Sequence, residues 1–252
     1  GKGQLSFLKG DDYKSVNLSG KNIDLNQLPI MQRHLLEEKW SKYYGIFKKN
    51  GRDVKTAQIM SCRGCKGGCE YCSETKRFNY SSADRVIKEI KAAQEQKYKA
   101  IFFDDSTFTA FSKDGTRSRE SVRDIFNYLK EEDIEWGCQT RVDKLDESLV
   151  KEMKESGCTY VYLGVESADQ EMLDAMKKGL TVQQTQDAIN LLDKYGIRIG
   201  ISLLFGTFGE IRGTDGEKKS VYENEDSIDR TIQFVKKNLD EGKNITLASM
   251  NL

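Results

Sequence analysis

Short apolar runs alternate with amphipathic stretches along most of the chain. Runs rich in β-branched and aromatic residues predict six strands, at 56–60, 100–103, 134–138, 159–165, 197–205 and 245–249. The stretches between them have the spacing of amphipathic helices, at 82–95, 118–131, 147–155, 168–177, 182–195 and 225–239. Repeated β–α units form a parallel sheet with helical crossovers, so the pattern predicts either an open doubly wound sheet or a partial barrel.

The first fifty residues lack this alternation. They are polar with scattered aromatic side chains and include Pro29 and His34, the only proline and histidine in the chain. We predict an irregular lead-in over residues 1–50, with loops and a short helix around 32–47. The remaining residues, 51–252, form the predicted (β/α)6 core.

The composition is that of a folded protein with a highly charged surface. Hydrophobic residues make up 37% and charged residues 32% of the 252 positions, and 40 acidic side chains balance 40 basic ones. This balance gives no support to binding of nucleic acid or anionic lipid. The chain has neither an apolar run long enough to span a membrane nor the apolar segment of a signal peptide. We therefore expect a cytoplasmic location.

Four of the six cysteines lie within residues 62–72, where disulfides would close loops too small to stabilise the fold. Metal binding is the better interpretation. Cys65, Cys69 and Cys72 have C-x3-C-x2-C spacing directly after the first predicted strand. Three thiolates leave one iron of a [4Fe-4S] cluster open to an exchangeable ligand. The neighbouring glycines allow the backbone to wrap around such a cluster.

A second interpretation of the same loop includes Cys62. With Cys62 as a fourth ligand, the loop would form a closed structural zinc site, and the protein a zinc- or cluster-stabilised binding module. A ferredoxin-like carrier fits less well because its cysteine spacings occur in a different order.

The cysteine loop, SCRGCKGGCEYCSE, resembles the CxxxCxxC signature of the radical S-adenosylmethionine (SAM) superfamily, with Tyr71 as the aromatic residue before the last cysteine. The resemblance implies a partial (β/α)6 TIM-like barrel with an irregular N-terminal extension. It also implies a [4Fe-4S] cluster on Cys65, Cys69 and Cys72, and SAM bound with its adenine against Tyr71. Reductive cleavage of SAM would yield a 5′-deoxyadenosyl radical that abstracts hydrogen from a substrate.

Polar residues follow the other predicted strands, where parallel α/β folds bind ligands. The strings FFDDSTFT, WGCQTRVD, TYVYLGVES and IRIGISLLFGTFGE resemble strand ends of the cobalamin-binding subgroup. By this resemblance the SAM contacts are Asp104, Asp105, Gln139, Arg141, Glu166 and Ser202. Helix capping stays an alternative for the two aspartates, and a surface position for the arginine. Ser167 is predicted to cap the next helix in a capping box with Gln170.

The resemblance covers roughly residues 24–252, and we expect the chain to lack the separate cobalamin domain that such enzymes often carry. The implied partners are an unidentified substrate, an electron donor such as flavodoxin or ferredoxin, and a separate domain or subunit. An alternative outcome is methyl or methylthio transfer. No residue identifies the substrate.

Overall fold

The computed structural model describes residues 3–9, 12–18, 24–35, 47–49, 52–74, 76, 78–111, 118–212 and 216–251. The six predicted strands are present and form one parallel sheet. They are β1 (Thr56–Ile59), β2 (Ala100–Phe103), β3 (Glu135–Thr140), β4 (Cys158–Glu166), β5 (Arg198–Leu204) and β6 (Ile245–Asn251).

The predicted helices are also present, each behind an N-cap side chain that accepts a hydrogen bond from the first turn. They are α1 (Ala83–Glu95), α2 (Arg119–Glu131), α3 (Glu147–Glu155), α4 (Gln170–Ala175), α5 (Val182–Lys194) and α6 (Glu225–Asp240). The predicted cap of α4 is wrong: Asp169 caps the helix, and the Ser167 hydroxyl instead accepts from the Asp169 amide at 3.1 Å. No helix in the described ranges has the length and apolarity to cross a membrane.

The strand order decides between the two predicted architectures. Neighbours in the sheet are neighbours in sequence, from β1 at one edge to β6 at the other. Right-handed crossovers between sequential parallel strands leave all the helices on one face, which is the arrangement of a barrel and not of a doubly wound sheet. Within the described residues β6 does not pair with β1, so the barrel is partial.

The two faces of the sheet pack differently. The helix-covered face contains the main apolar core, in which Trp136 stacks against Phe126 and meets Phe103 edge-on. On the opposite face, Phe47 and Tyr160 join a smaller buried cluster at the N-terminal end of the strands. Both faces are therefore buried in that half of the sheet.

Two glycines make room for this smaller cluster. A Cβ atom on Gly200 would lie 1.9 Å from the Tyr160 hydroxyl, and one on Gly137 would lie 3.1 Å from the Phe47 ring. Phe47 belongs to the predicted lead-in, yet it is fully buried and closes the floor of the partial barrel. The lead-in thus contributes to the core, and a domain boundary at residue 50 stays a prediction.

Several small elements lie outside the sheet. Antiparallel pairs join Gly3–Lys9 to Asp12–Leu18, Lys48–Lys49 to Arg52–Asp53, Cys62–Arg63 to Asn79–Tyr80, and Phe208–Arg212 to Lys218–Tyr222. Short 3-10 helices span Leu25–Gln27, Arg33–Leu35 and Val142–Lys144. The prediction that the lead-in is irregular throughout is therefore wrong, because it contains an antiparallel pair of two seven-residue strands. Most of the helix predicted at 32–47 lies outside the described residues.

The buried position of Phe47 predicts that two phenylalanine-to-alanine substitutions differ strongly in their effect on the free energy of unfolding. Phe47→Ala should lower the free energy of unfolding by about 3–5 kcal/mol because it leaves a cavity in the floor. Phe208→Ala, at a ring that is 73% exposed, should change it by less than about 1 kcal/mol. Urea unfolding, monitored by circular dichroism, measures both values. A similar loss of unfolding free energy in the two variants would contradict the position of Phe47 in the floor of the partial barrel.

Candidate functional site

A cavity of about 640 Å³ opens at the carboxyl ends of the strands. Its walls come from the cysteine loop, residues 61–74, and from the ends of β3, β4 and β5. Eight of the ten residues predicted to hold the cluster or SAM line this one space. They are Cys65, Cys69, Tyr71, Cys72, Gln139, Arg141, Glu166 and Ser202.

The cysteine loop directs hydrogen-bond donors at its sulfur atoms. The Gly67 amide donates to Cys65 Sγ at 3.3 Å, and the Glu74 amide donates to Cys72 Sγ at 3.4 Å. Arg141 Nη1 approaches Cys69 Sγ at 3.8 Å. Donors of this kind stabilise thiolates, the form in which cysteine binds metals.

Gly67 lies where a side chain would be tightly packed. A Cβ atom there would stand 3.3 Å from Cys65 Sγ, 3.6 Å from Cys69 Sγ and 3.0 Å from Arg141 Nη1. The missing side chain thus leaves a hollow bordered by two sulfurs and a guanidinium. Three cysteines around one cavity, with amide donors and this hollow, fit a sulfur-ligated cluster.

Cys62 does not share this cavity. It is 1% exposed, and its Sγ lies 3.9 Å from the Thr107 carbonyl oxygen. Among the described residues, no group of three or more cysteine, histidine or acidic side chains is arranged around a single-ion position. A zinc ion needs all four sulfurs about 2.3 Å from one point, whereas each thiolate of an iron–sulfur cluster binds a different iron. The geometry therefore favours the three-cysteine interpretation.

Asp105 lies beneath the loop and not in the cavity wall. It is 1% exposed, and one carboxylate oxygen accepts from the Ser61 amide at 2.7 Å and the Cys62 amide at 2.9 Å. The other oxygen accepts from the Ser61 hydroxyl. The expectation that Asp105 faces SAM thus differs from the structure, in which its carboxylate binds the start of the cysteine loop.

Asp104 points to a different space. It lines a second cavity, of about 480 Å³, formed with residues 25–33 and helix α1. Burial raises the pKa of its carboxyl group above the usual range. The structure therefore does not bring Asp104 together with the eight residues of the main cavity.

The end of β4 carries a buried ion pair. Glu166 has a φ of +68°, a conformation that costs a non-glycine residue about 1–3 kcal/mol and is common at functional sites. Its carboxylate accepts from Lys178 Nζ at 3.0 Å and from the Ser202 hydroxyl at 3.1 Å. A Cβ atom on Gly164 would stand 2.8 Å from that carboxylate, so glycine leaves room for it.

Lys178 is the one cationic residue among the cavity-lining residues that the sequence prediction missed. Its side chain is only 5% exposed, and Nζ also lies 3.1 Å from the Tyr71 hydroxyl. Burial, with Glu166 and Cys69, raises the pKa of Tyr71 above its usual range, which keeps the hydroxyl protonated. Lysine is typical of protein surfaces, and Lys178 follows another lysine, so its burial is not evident from the local sequence.

Arg141 connects three parts of the site. Nε donates to Asp143 at 2.8 Å and Nη2 to the Lys178 carbonyl at 2.9 Å, while Nη1 faces Cys69. Burial alone would lower the pKa of Arg141, but Asp143 and the cysteine sulfurs more than offset this and raise it. The cavity thus offers two cations, Arg141 and Lys178, and two carboxylates, Glu74 and Glu166. Groups of both signs suit a zwitterion such as an amino acid group.

Comparisons with known proteins agree with this geometry. The family model described as the radical SAM superfamily matches residues 59–214. An uncharacterized methyltransferase of Pyrococcus horikoshii is 34% identical over 224 residues, which are 86% of this chain and 42% of the relative. A putative methylthiotransferase of Methanocaldococcus jannaschii is 27% identical over 214 residues, covering 79% and 43%. The chain therefore spans less than half the length of these relatives.

Two solved structures share the fold. The radical SAM methyltransferase TsrM of Kitasatospora setae, with tryptophan and a SAM analogue bound, has a TM-score of 0.59 and 16% identity, covering 78% of this chain and 35% of its own. The cobalamin-dependent enzyme OxsB, with aqua-cobalamin and SAM bound, has a TM-score of 0.55 and 19% identity, covering 70% and 26%.

The contacts of Asp105 predict a structural effect on mutation. Asp105→Ala should lower the free energy of unfolding by about 2–4 kcal/mol, because two buried amides lose their acceptor. Asp105→Asn retains one acceptor oxygen, so its free energy of unfolding should fall much less. Urea unfolding measures the change, with Asp104→Ala as the control at the neighbouring, half-buried position. Unchanged stability in Asp105→Ala, with SAM binding lost, would instead support a direct SAM contact.

Proposed function

Because the chain belongs to the radical SAM superfamily, we propose that it uses a [4Fe-4S] cluster to cleave SAM reductively and abstract hydrogen from a substrate. Proteins of this superfamily bind the cluster and SAM. We assign the cluster to Cys65, Cys69 and Cys72. The observation that carries this assignment is that the three cysteines and five of the seven predicted SAM contacts line one cavity. When bound, the cluster supplies the electron that breaks the S–C5′ bond of SAM.

The chain's own residues bind and orient SAM in this proposal. Arg141 and Lys178 provide positive charge for the carboxylate of the methionine part, and Glu166 provides negative charge for its ammonium. The Lys178 contacts to Glu166 and to the Tyr71 hydroxyl hold both groups before SAM arrives. Tyr71 also offers an aromatic ring to the adenine.

The floor and the strand side chains of the cavity restrict what reaches the C5′ carbon of SAM. Phe47 and Tyr160 close the floor of the partial barrel, so access is from the carboxyl ends of the strands. Gln139 and Ser202 project from β3 and β5 into the space between this floor and the cysteine loop. The closed floor blocks water from that side, which protects a radical that would react with many groups once the open side is also covered.

A second candidate outcome is methyl or methylthio transfer. It is supported by two relatives, of which one is described as an uncharacterized methyltransferase and the other as a putative methylthiotransferase. Methyl transfer from SAM yields S-adenosylhomocysteine, whereas reductive cleavage yields 5′-deoxyadenosine. The ratio of the two nucleoside products therefore distinguishes these outcomes.

We further propose that the protein acts in the cytoplasm with a separate low-potential reductant, and that residues 51–252 form the catalytic core. The balanced charge and the absence of an apolar run in the sequence support that location. A substrate-binding domain or subunit would close the open side of the cavity.

Cysteine replacements test the cluster assignment. The wild-type protein, reconstituted without oxygen, should contain about four irons per chain and form 5′-deoxyadenosine with SAM and dithionite. Cys65→Ala, Cys69→Ala and Cys72→Ala should each abolish the product. Cys62→Ala is the matched control and should retain both iron and product. Loss of the metal in Cys62→Ala would instead support the four-cysteine zinc site.

A pair of glycine substitutions tests the hollow in the loop. Gly67→Ala should reduce iron incorporation because its Cβ atom would crowd Arg141 and the sulfurs of Cys65 and Cys69. Gly68→Ala is the control, since its Cβ atom would meet only the Lys177 carbonyl oxygen, at an ordinary 3.7 Å. Iron and sulfide analysis after reconstitution measures the difference. Equal incorporation in the two variants would contradict the proposed position of the cluster.

A further inference from the structure

The turn that follows β2, residues 104–110, contacts the cysteine loop at three successive residues. Asp105 binds the start of the loop, and the Ser106 hydroxyl donates to the Glu74 carboxylate near its end. Thr107 contacts the middle of the loop, where its Oγ1 lies 3.4 Å from Cys65 Sγ. Of these three contacts, the one made by Thr107 thus reaches a sulfur that we assign to the cluster.

Thr107 is held in place behind the loop. It is 1% exposed and does not line the main cavity. Its carbonyl oxygen accepts from the Ala110 amide at 3.2 Å. The next residue, Phe108, donates its amide to the Gln139 carbonyl at 2.9 Å and stacks its ring on Phe103. The hydroxyl of Thr107 is therefore fixed beside the cysteine loop and outside the space assigned to SAM.

The single hydroxyl hydrogen of Thr107 has two acceptors within reach. Oγ1 lies 2.6 Å from the Ser106 carbonyl oxygen as well as near Cys65 Sγ. Cysteine binds iron as a thiolate, which has no hydrogen to donate, so a hydrogen bond between the two side chains needs the hydroxyl hydrogen. A hydrogen bond to a charged acceptor is roughly twice as strong as one to a neutral acceptor, and a hydroxyl hydrogen rotates to suit. An iron-bound Cys65 therefore attracts the hydrogen away from the carbonyl oxygen.

We propose that Thr107 is a positioning residue that donates a hydrogen bond to Cys65 Sγ and thereby raises the reduction potential of the cluster; this inference rests on the cluster assignment in the proposed function. Reduction by a one-electron donor adds one negative charge to the iron and sulfur atoms. A hydrogen bond donated to a ligand sulfur stabilises that added charge, so it favours the reduced state. Thr107 therefore makes the cluster easier to reduce.

The other donors to the cysteine sulfurs of this loop differ in kind from the hydroxyl. Cys65 Sγ also accepts from the Gly67 amide at 3.3 Å, and Cys72 Sγ accepts from the Glu74 amide at 3.4 Å. These amides belong to the backbone of the loop and do not depend on a side chain. The hydroxyl depends on residue 107 alone, and because Thr107 is buried, water cannot replace it. Removal of the hydroxyl should therefore change the potential measurably.

The test measures the reduction potential of the reconstituted protein without SAM, with dithionite as the reductant and electron paramagnetic resonance to detect the reduced cluster. Thr107→Val retains the branched shape but lacks the hydroxyl. It should lower the equilibrium constant for one-electron reduction roughly three- to tenfold, a shift of about 30–60 mV to more negative potential. Thr107→Ala should shift the potential in the same direction, and Thr107→Ser should keep the wild-type value.

Thr109→Val is the matched control. Thr109 is also 1% exposed, but its hydroxyl pairs with the Thr140 hydroxyl and not with a sulfur, so the potential should stay unchanged. An unchanged potential in Thr107→Val, or an equal shift in Thr109→Val, overturns the role of Thr107. A shift in Thr107→Ser as large as that in Thr107→Val assigns the effect to packing and also overturns it.

A second measurement detects the hydrogen itself. After exchange into deuterated water, pulsed electron paramagnetic resonance should find one fewer deuteron coupled to the reduced cluster in Thr107→Val than in the wild type. An equal number of coupled deuterons overturns the hydrogen bond. A wild-type cluster that forms no 5′-deoxyadenosine contradicts the proposed SAM cleavage, while the potentials still decide the role of Thr107. A wild type that assembles no cluster contradicts both.

Discussion

The hydrogen bonds from Ser61 and Cys62 to the buried Asp105 carboxylate fix where the cysteine loop begins. Asp105 follows β2 and Ser61 follows β1, so this carboxylate joins the ends of two neighbouring strands. A buried carboxylate is stable only with such donors. Because the loop starts in a fixed direction, Cys65, Cys69 and Cys72 all border the cavity.

The sheet supplies the other half of the site. Its strands follow one another in sequence, so the helices cover one face and the opposite face becomes the interior of a partial barrel. Aromatic side chains fill that interior at the N-terminal end, where glycines leave room for them. Polar side chains occupy the carboxyl end. The same fold therefore gives a closed floor and a polar opening beneath the cysteine loop.

Local patterns were sufficient to predict the six strands and the six helices, and the resemblance of the cysteine loop and the strand ends to a known family pointed to eight of the cavity residues. Apolar periodicity reports burial, and parallel topology brings strand ends together. The direction of a side chain at a strand end depends on tertiary contacts, which the spacing of residues in the sequence does not reveal. The Asp105 carboxylate therefore accepts hydrogen bonds from backbone amides, whereas a SAM contact was predicted. The Lys178 side chain is buried in the cavity wall, although its neighbours in the sequence are typical of a surface. The hairpin Phe208–Arg212 with Lys218–Tyr222 was missed because its strands are short and largely exposed.

The central claim is that three cysteines leave one iron of the cluster open to SAM. Mössbauer spectroscopy of the protein reconstituted with ⁵⁷Fe tests this claim directly, because it resolves the individual irons. Addition of SAM should change the signal of about one iron in four and leave the other three in tetrahedral sulfur coordination. A spectrum that SAM leaves unchanged, with four equivalent irons, would contradict the account.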